Sequence, residues 1–241
     1  CNFGGVAVCS CLRYTERSAT LTMALRRRSL HLVRHAESNW NVMTAGEHVG
    51  AHPNLVDVDS DLSPKGERQL DALRNGPALA PPLELILASP LRRALRTALA
   101  LQTANGGETV PMHVEPRATE WLENSCDCGR PGPIIQREFG TIRGLETLGD
   151  GWWPALSNEH GVQSRSTRGT LAALATGGRE AAASVDRRCS QLVHKLLHEL
   201  TENSVAVVAH CMVLHRLESM LREQCGGDEL IVDQDSSGVS H

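Results

Sequence analysis

One stretch of the chain, from Leu32 to Asn41, constrains the fold more than any other. It reads Leu-Val-Arg-His-Ala-Glu-Ser-Asn-Trp-Asn, so an apolar run ends abruptly in an arginine, a histidine and several hydrogen-bonding side chains. Leu30, Leu32 and Val33 are typical of a buried parallel strand. In open α/β folds ligands bind beyond the carboxyl ends of such strands, which is where Arg34 and His35 stand. The stretch therefore predicts an α/β fold with a binding site at this strand end.

The residue types at this strand end are suited to a phosphate group. Neutral histidine is a good nucleophile near pH 7 and leaves readily from phosphorus, so His35 is a candidate nucleophile. The guanidinium of Arg34 is a fork of N–H donors that matches two phosphate oxygens. Ser38 and Asn41 offer neutral donors. We interpret the stretch as a phosphate site.

Composition limits the classes of protein and of partner. The 241 residues, 41% of them hydrophobic, suffice for one sizeable core and predict a single domain. Residues 1–29 carry five arginines against one glutamate, a net +4, so the overall charge of −4 leaves −8 on the remainder. That charge argues against nucleic acid as a partner. The longest apolar run, 205–214, is too short to span a bilayer, so no membrane partner is expected.

Cysteine and histidine spacing gives little support for a metal site. The eight cysteines lack the density of a small secreted disulfide domain, which favours reduced thiols and an intracellular location, cytoplasmic or organellar. The Cys-x-Cys pairs at 9–11 and 126–128 have one intervening residue, fewer than structural zinc pairs. His194 and His198 are four residues apart, but the glutamate pattern of a zinc hydrolase is missing. We expect these two histidines on a helix surface.

The order of the elements along the chain predicts the domain organisation. Residues 1–29 indicate a basic extension, either a transit-peptide remnant or a disordered tail, followed by a domain over 30–226 and a tail over 227–241. Further strands are predicted at 83–88, at 111–114 as an edge strand, and at 205–209 as a central one. Helices are predicted from Ser63-Pro64, from Pro90, over about 179–203 and over 212–222.

A long irregular stretch, 115–178, follows the third predicted strand. Stretches of this length without periodicity are usually lids or binding loops. The adjacent Trp152 and Trp153 either wall a pocket or pack the lid onto the core.

Two further predicted strands also end in reactive side chains. Ser89 and Arg93 follow the second strand, and His210 follows the fourth. If these strands are neighbours in a parallel sheet, their side chains converge with His35 on one edge. Arg92 and Arg96 lie beside Arg93 in sequence, and we expect them to form a solvated basic face.

Two motifs in the chain resemble the signatures of the histidine phosphatase superfamily, the phosphoglycerate mutase-like enzymes. They are Arg-His-Ala-Glu-Ser-x-Trp-Asn at 34–41 and Ser-x-Leu-x-Arg-Ala-x-x-Thr-Ala at 89–98, and the match extends from about residue 30 to 221. The resemblance implies a three-layer α/β sandwich with a mostly parallel central sheet, flanking helices and a lid after the third strand.

The resemblance also implies roles for individual residues. His35 is the expected nucleophile, forming a phosphohistidine, while Arg34, Arg93 and His210 stabilise charge. Asn41, as a neutral donor in the same stretch, is expected to contribute to phosphate binding. Glu120 is the expected proton donor, with Glu123 as the competing candidate and Asp127 as a further one. No Mg²⁺ or other cofactor is then needed, and the expected partner is a small phosphorylated substrate.

Departures from the family pattern bear on the reaction. Ala36 and the loop after Asn41 differ from phosphoglycerate mutases proper, which favours a phosphatase over a mutase, and the spacing of 120–127 and 152–154 resembles plant, algal and fungal relatives. Cys211 and Met212 stand where a glycine normally follows the second histidine, which leaves a weakly active phosphate-binding scaffold as a third alternative.

Overall fold

The computed structural model describes residues 8–17, 25–44, 56–140, 142–157, 163–164, 166–225 and 231–233. Two sheets lie in this part of the chain: a main sheet of six strands and a separate two-stranded sheet. The strands are β1 (Val8–Arg17), β2 (Leu25–Arg34), β3 (Leu85–Ala88), β4 (Met112–Val114), β5 (Leu156–Ser157), β6 (Gln163–Ser164), β7 (Ser204–Ala209) and β8 (Ile231–Asp233).

The main sheet is mostly parallel, as predicted. Its strand order is β4-β3-β7-β2-β1-β8. Strands β4, β3, β7 and β2 are parallel to their neighbours, with Leu87 and Leu32 both in register with Val207, whereas β1 and β8 are antiparallel additions. The predictions that 205–209 is a central strand and that the strand near Pro111 is an edge strand are confirmed.

Helices cover both faces of the sheet, so the predicted three-layer arrangement is confirmed. The α-helices are α1 (Asn39–Met43), α2 (Pro64–Arg74), α3 (Arg92–Ala104), α4 (Gly132–Phe139), α5 (Thr167–Ala175), α6 (Ala182–His194) and α7 (Cys211–Cys225), and a π-helical turn, Lys195–Glu199, extends α6. Alternate side chains of each central strand point to opposite faces. Leu32 and Val207 pack with α6 and α7, while Val33 and Val208 pack with α3. No described helix is long and apolar enough to cross a membrane.

The start of α2 follows directly from its sequence. Ser63 is the N-cap, its hydroxyl oxygen accepts from the Gly66 N–H at 3.0 Å, and Pro64 opens the helix. The amide of Ser63 in turn donates to the Glu37 carbonyl at 2.9 Å. This contact joins α2 to the loop that carries His35.

The N-terminal region differs from the expected extension. Strand β1 lies within 1–29, and β2 begins at Leu25, five residues before the predicted strand. The pairing runs from Val8 opposite Val33 to Arg17 opposite Leu25, with a shift of register between Val8 and Ser10. The composition of this region, rich in Arg and Thr, suggested a tail. Strand β1 is ordered by its pairing with β2, and local composition does not reveal that pairing.

The segment between β4 and α6 is more ordered than its sequence suggested. It contains α4, α5 and several short 3₁₀ turns, and it has a small core of its own. Trp153 is buried in that core, where its indole N–H donates to the Thr170 hydroxyl at 3.0 Å. Trp152 and Trp153 also line a cavity of about 450 Å³ together with Glu180 and Arg188. Trp152 packs against the main core beside Val33 and Val208, so the tryptophan pair both lines a cavity and packs this segment onto the core.

Candidate active site

Three neighbouring parallel strands deliver the two histidines and the serine to one edge of the sheet. The amide of His35, just after β2, donates to the Ala209 carbonyl at 3.0 Å, and the amide of Ser89, just after β3, donates to the Val208 carbonyl at 3.0 Å. His210 directly follows β7. The ring centroids of His35 and His210 are 4.9 Å apart. The structure therefore brings together the side chains that the sequence placed at separate strand ends.

Two neighbours determine the tautomer of His35. The Nδ1 atom lies 2.7 Å from the Ala36 carbonyl oxygen, which can only accept, so Nδ1 carries the hydrogen. The Nε2 atom lies 3.3 Å from Nε of Arg93, which can only donate, so Nε2 carries no hydrogen and accepts with its lone pair. Burial, with the charges of Arg93 and Arg34, lowers the pKa of His35 well below its usual value. The ring is neutral at pH 7, with Nε2 facing the cation.

Hydrogen bonds to Cys126 and Asp127 hold Arg93 in place. Its Nη1 donates to the Cys126 carbonyl at 2.7 Å, and its Nη2 donates to Asp127 Oδ1 at 3.0 Å. With the contact to His35, three of its five N–H groups have partners, so donors remain for an incoming anion. The side chain is buried and cannot swing into solvent. Arg93 is thus a fixed cation directly beside Nε2 of His35.

His210 presents an unpaired ring nitrogen to the same region. Its Nε2 is 2.8 Å from the Ser89 hydroxyl, which in turn accepts from the Leu91 N–H at 3.4 Å. The serine hydroxyl can either donate to Nε2 or accept from it, so this contact fits both tautomers of the ring. The Nδ1 atom is buried and has no hydrogen-bond partner in the described part of the chain. Burial and the nearby Arg93 hold the pKa of His210 well below its usual value, so the ring is neutral at pH 7.

Arg34 acts on the two histidines through its charge, whereas Asn41 bonds to its own loop. Arg34 is half-buried, and its Nε is buried without a hydrogen-bond partner among the described residues. Its charge acts on both His35 and His210. The Oδ1 of Asn41 accepts from the Ser38 N–H at 3.0 Å, as part of the capping box that begins α1. This contact explains how Asn41 shapes the loop, and its part in phosphate binding stays a prediction.

Glu120 is held at the amino end of α7. Its carboxylate accepts from the amides of Met212 and Val213, both at 3.3 Å, and from the Trp121 amide at 2.9 Å. Burial and the neighbouring Asp127 raise the pKa of Glu120 to about 7, despite the opposing charge of Arg93. A carboxyl group with this pKa is able to donate and accept a proton near neutral pH.

The two competing acids are paired with arginines. Glu123 lies 3.6 Å from Arg179 at the surface. Asp127 is buried against Arg93, and its Oδ2 accepts from the Asn124 amide at 3.2 Å, while burial raises its pKa. Asp127 is placed to anchor the arginine.

The side chain of Met212 is 43% exposed, which bears on the expected crowding near the second histidine. It stands at the first turn of α7, where its amide serves Glu120. The position therefore contributes to the site through its backbone, a use that does not require glycine.

Asp59 is a site neighbour that the sequence analysis missed. It is fully buried with a left-handed backbone (φ 50°), and its Oδ1 accepts from the Arg92 amide at 2.9 Å at the start of α3. Leu91, at the N-cap position of α3, makes no side-chain capping bond, so Asp59 supplies the cap from another segment. Burial raises the pKa of Asp59 to about 7, against the effects of Arg92 and Arg93. A contact across 33 residues leaves no local sequence signal.

The expected solvated face at Arg92 and Arg96 is wrong. Arg92 lies 2.7 Å from both Asp61 and Glu138, and Arg96 lies 2.9 Å from Asp61 and 2.6 Å from Glu67. The acids come from distant segments, so their pairing with the arginines was not visible locally. Only Arg93 of the three faces the histidines.

Within the described ranges, no group of three or more His, Cys, Asp or Glu side chains is placed to hold a metal ion. His194 is exposed and lies 3.1 Å from Glu199, which agrees with the surface position expected for it. Cys126 and Cys128 are buried free thiols whose pKa values burial raises, to about 12 for Cys128. The 9–11 pair lies outside the residues whose side chains are described.

Comparison with known proteins gives a family and a fold. Residues 30–142 match the family model of the histidine phosphatase superfamily, branch 1. A phosphoglycerate mutase-like protein of Arabidopsis thaliana is 33% identical over 96 residues, which make up 37% of this chain and 35% of that protein, so the match spans about a third of the relative.

Two solved structures are also similar. One is the ecdysone phosphate phosphatase of Bombix mori in complex with tungstate. The match covers 89% of this chain and 83% of that chain, at 16% identity and a TM-score of 0.51. The mycobacterial glucosyl-3-phosphoglycerate phosphatase, in complex with VO3, covers 81% of each chain, at 24% identity and a TM-score of 0.48. At these identities the likeness concerns the fold alone.

Proposed function

Because the chain belongs to the histidine phosphatase superfamily, we propose that it is a phosphomonoesterase that hydrolyses a small phosphorylated metabolite through a phosphohistidine at His35. The observation that carries this proposal is the state of the His35 ring. Its Nε2 lone pair is free of a proton and faces Arg93, while Ala36 holds the hydrogen on Nδ1. A nucleophile of this kind needs no general base for its attack.

The first step is an in-line displacement at phosphorus. A phosphoryl oxygen takes the Arg93 N–H that now faces Nε2, which frees the lone pair for attack. The N–P bond forms as the P–O bond to the alcohol breaks. The ring gains positive charge, which the bond from Nδ1–H to the Ala36 carbonyl stabilises.

Fixed donors stabilise the negative charge on the equatorial oxygens. Arg93 is anchored by Asp127 and by the Cys126 carbonyl, so its position costs little reorganisation during the reaction. His210, in the tautomer that carries its hydrogen on the unpaired Nδ1, and the guanidinium of Arg34 complete the set. Phosphoryl transfer depends chiefly on such positioning and electrostatic stabilisation.

Glu120 supplies and recovers the proton. Its protonated carboxyl gives the hydrogen to the leaving alkoxide, and the resulting carboxylate then takes a hydrogen from the water that attacks the phosphohistidine. The N–P bond breaks, inorganic phosphate leaves, and His35 and Glu120 return to their first states. A pKa of about 7 lets one group serve both half-reactions.

Partitioning between water and an added alcohol tests this proposal. With several aryl phosphates in the presence of glycerol, a shared phosphohistidine gives one constant ratio of inorganic phosphate to glycerol phosphate, whichever aryl group leaves. His35→Ala should abolish turnover, and the matched surface control His198→Ala should retain it. A ratio that changes with the leaving group argues for direct attack by water, and exclusive transfer to a second substrate hydroxyl indicates a mutase.

A further inference from the structure

We propose that the buried pair of Glu180 and Arg188 is a positioning element that holds Glu120 in line for proton donation. The inference rests on the proposed function, because it assigns a purpose to contacts around the proton donor. Glu180 is fully buried and Arg188 is nearly so. Neither residue contacts His35 or His210 among the described hydrogen bonds.

Arg188 uses all of its donors on one short segment and one carboxylate. Its Nη1 donates to the carbonyls of Arg117, at 2.8 Å, and Thr119, and its Nη2 donates to the Glu120 carbonyl at 3.1 Å. The remaining N–H groups meet the two oxygens of Glu180, both at 3.0 Å. With five donors satisfied, the guanidinium has none to offer a phosphate group.

Glu180 ties down the residues that follow Glu120. Its backbone amide donates to the Leu122 carbonyl at 2.9 Å, and its own carbonyl accepts from the Trp121 indole N–H at 2.8 Å. The carboxylate also accepts from the Ser184 hydroxyl at 2.8 Å. Residues on both sides of Glu120 are thus bound to one ion pair.

The contacts of Glu120 itself come from two helices. Its carboxylate bonds to the first turn of α7, through Met212 and Val213, while its backbone carbonyl bonds to Arg188 on α6. These helices pack against each other. Loss of Arg188 leaves the carbonyls of the segment without their donors, and the segment is then free to shift relative to α7. A misplacement of about 1 Å is enough to cost roughly 10²-fold in a proton-transfer step.

The dependence on the leaving group distinguishes positioning from a general structural effect. A nitrophenolate leaves without a proton, whereas an alkoxide requires one, so a misplaced acid slows only the alkyl ester. We would compare kcat/KM for 4-nitrophenyl phosphate and for a primary alkyl phosphate in the wild type and in Arg188→Met, Arg188→Lys, Glu180→Gln and Glu120→Gln.

For Arg188→Met we expect roughly a 10- to 100-fold loss on the alkyl ester and less than about a 3-fold loss on the aryl ester. Arg188→Lys should be intermediate, since a lysine keeps the charge but has three donors in place of the five that Arg188 uses. If Arg188→Met does not fold, Arg188→Lys and Glu180→Gln test the positioning role in its place.

Arg28→Met is the matched control. Arg28 is also a buried arginine, and its Nη1 donates to the carbonyls of Leu196 and Leu197 at 3.0 and 3.1 Å, away from Glu120. Its loss should lower stability without changing the ratio of alkyl to aryl activity.

The outcomes separate this inference from the proposed function. If Glu120→Gln selectively loses alkyl activity and the variants of Arg188 and Glu180 lose both activities equally, or neither, the positioning role is refuted while the proton donor stands. If Glu120→Gln shows no selectivity, Glu120 is not the donor, and the positioning role falls with it.

Discussion

Replacement of Glu120 by glutamine is the substitution that most clearly probes the chemistry of the site. Glutamine keeps the side-chain length, and its carbonyl oxygen still accepts one of the amides of Met212 and Val213. What is lost is the proton, so the effect falls on the alkyl-ester reaction. General acid catalysis contributes about 10²- to 10⁴-fold, which sets the expected loss in kcat/KM.

The pH dependence of alkyl-ester hydrolysis is a second test of the role of Glu120. With a pKa of about 7, Glu120 is half protonated at pH 7 and about one tenth protonated at pH 8, so alkyl-ester hydrolysis should fall tenfold per pH unit above neutrality. The acidic limb should lie well below pH 6.5, because burial and the two arginines keep His35 neutral there. The wild type therefore has a plateau on the acidic side of neutrality.

The assay is a pair of pH–rate profiles between about pH 5 and pH 9, roughly two units either side of the pKa of Glu120. Ionisation of the substrate affects wild type and Glu120→Gln alike, so the ratio of the two rates isolates Glu120. We expect that ratio to decline through pH 7 and level off as the wild type loses its proton. A ratio that is independent of pH, or a variant of undiminished alkyl activity, would show that another group donates the proton.

Three further substitutions probe the surroundings of the nucleophile. Arg93→Met should lower kcat by roughly 10²-fold or more, whereas Arg96→Met, one turn away, should stay within about 3-fold in the same steady-state assay; equal losses would refute the clamp. Asp59→Asn keeps the bond to the Arg92 amide and removes an ionisation. Since the folded pKa of about 7 exceeds the unfolded value of about 4, the wild type should lose stability as the pH rises from 4 to 7, and urea titrations should show a weaker loss in Asp59→Asn; parallel curves would contradict this. Gly66→Ala would place a methyl group 2.1 Å from the Glu37 carbonyl oxygen and should destabilise the fold by about 1–3 kcal/mol, whereas Gly149→Ala, with nothing within 4 Å, should change little; equal melting temperatures for the two variants would count against the contact.

Features that rest on local physics could be predicted from the sequence. The strand ends at Arg34 and His210 were visible because continuous apolar runs stop there, and parallel neighbours bring such ends together. The start of α2 at Ser63-Pro64 follows from a short-range pattern in the same way. These patterns predicted the sheet and the position of the site.

Features that rest on long-range contacts could not be predicted. Asp59 caps α3 from 33 residues away, Asp127 anchors Arg93 across 34 residues, and Arg188 reaches Glu120 across 68 residues. Nothing near these residues in sequence specifies their partners, because burial and pairing depend on the assembled fold. Strand β1 was missed within the expected extension over 1–29 for the same reason, since its order comes from pairing with β2.

Direct capture of the intermediate tests the central claim, that His35 carries the phosphoryl group. The protein would be mixed with an excess of a labelled phosphate ester, quenched in alkali within milliseconds and digested for mass spectrometry. We expect an acid-labile, alkali-stable phosphate on the peptide that contains His35. We expect none on the peptide that contains His198, and none on the His35→Ala variant. Rapid turnover with no phosphate on His35 at any time point would contradict the mechanism.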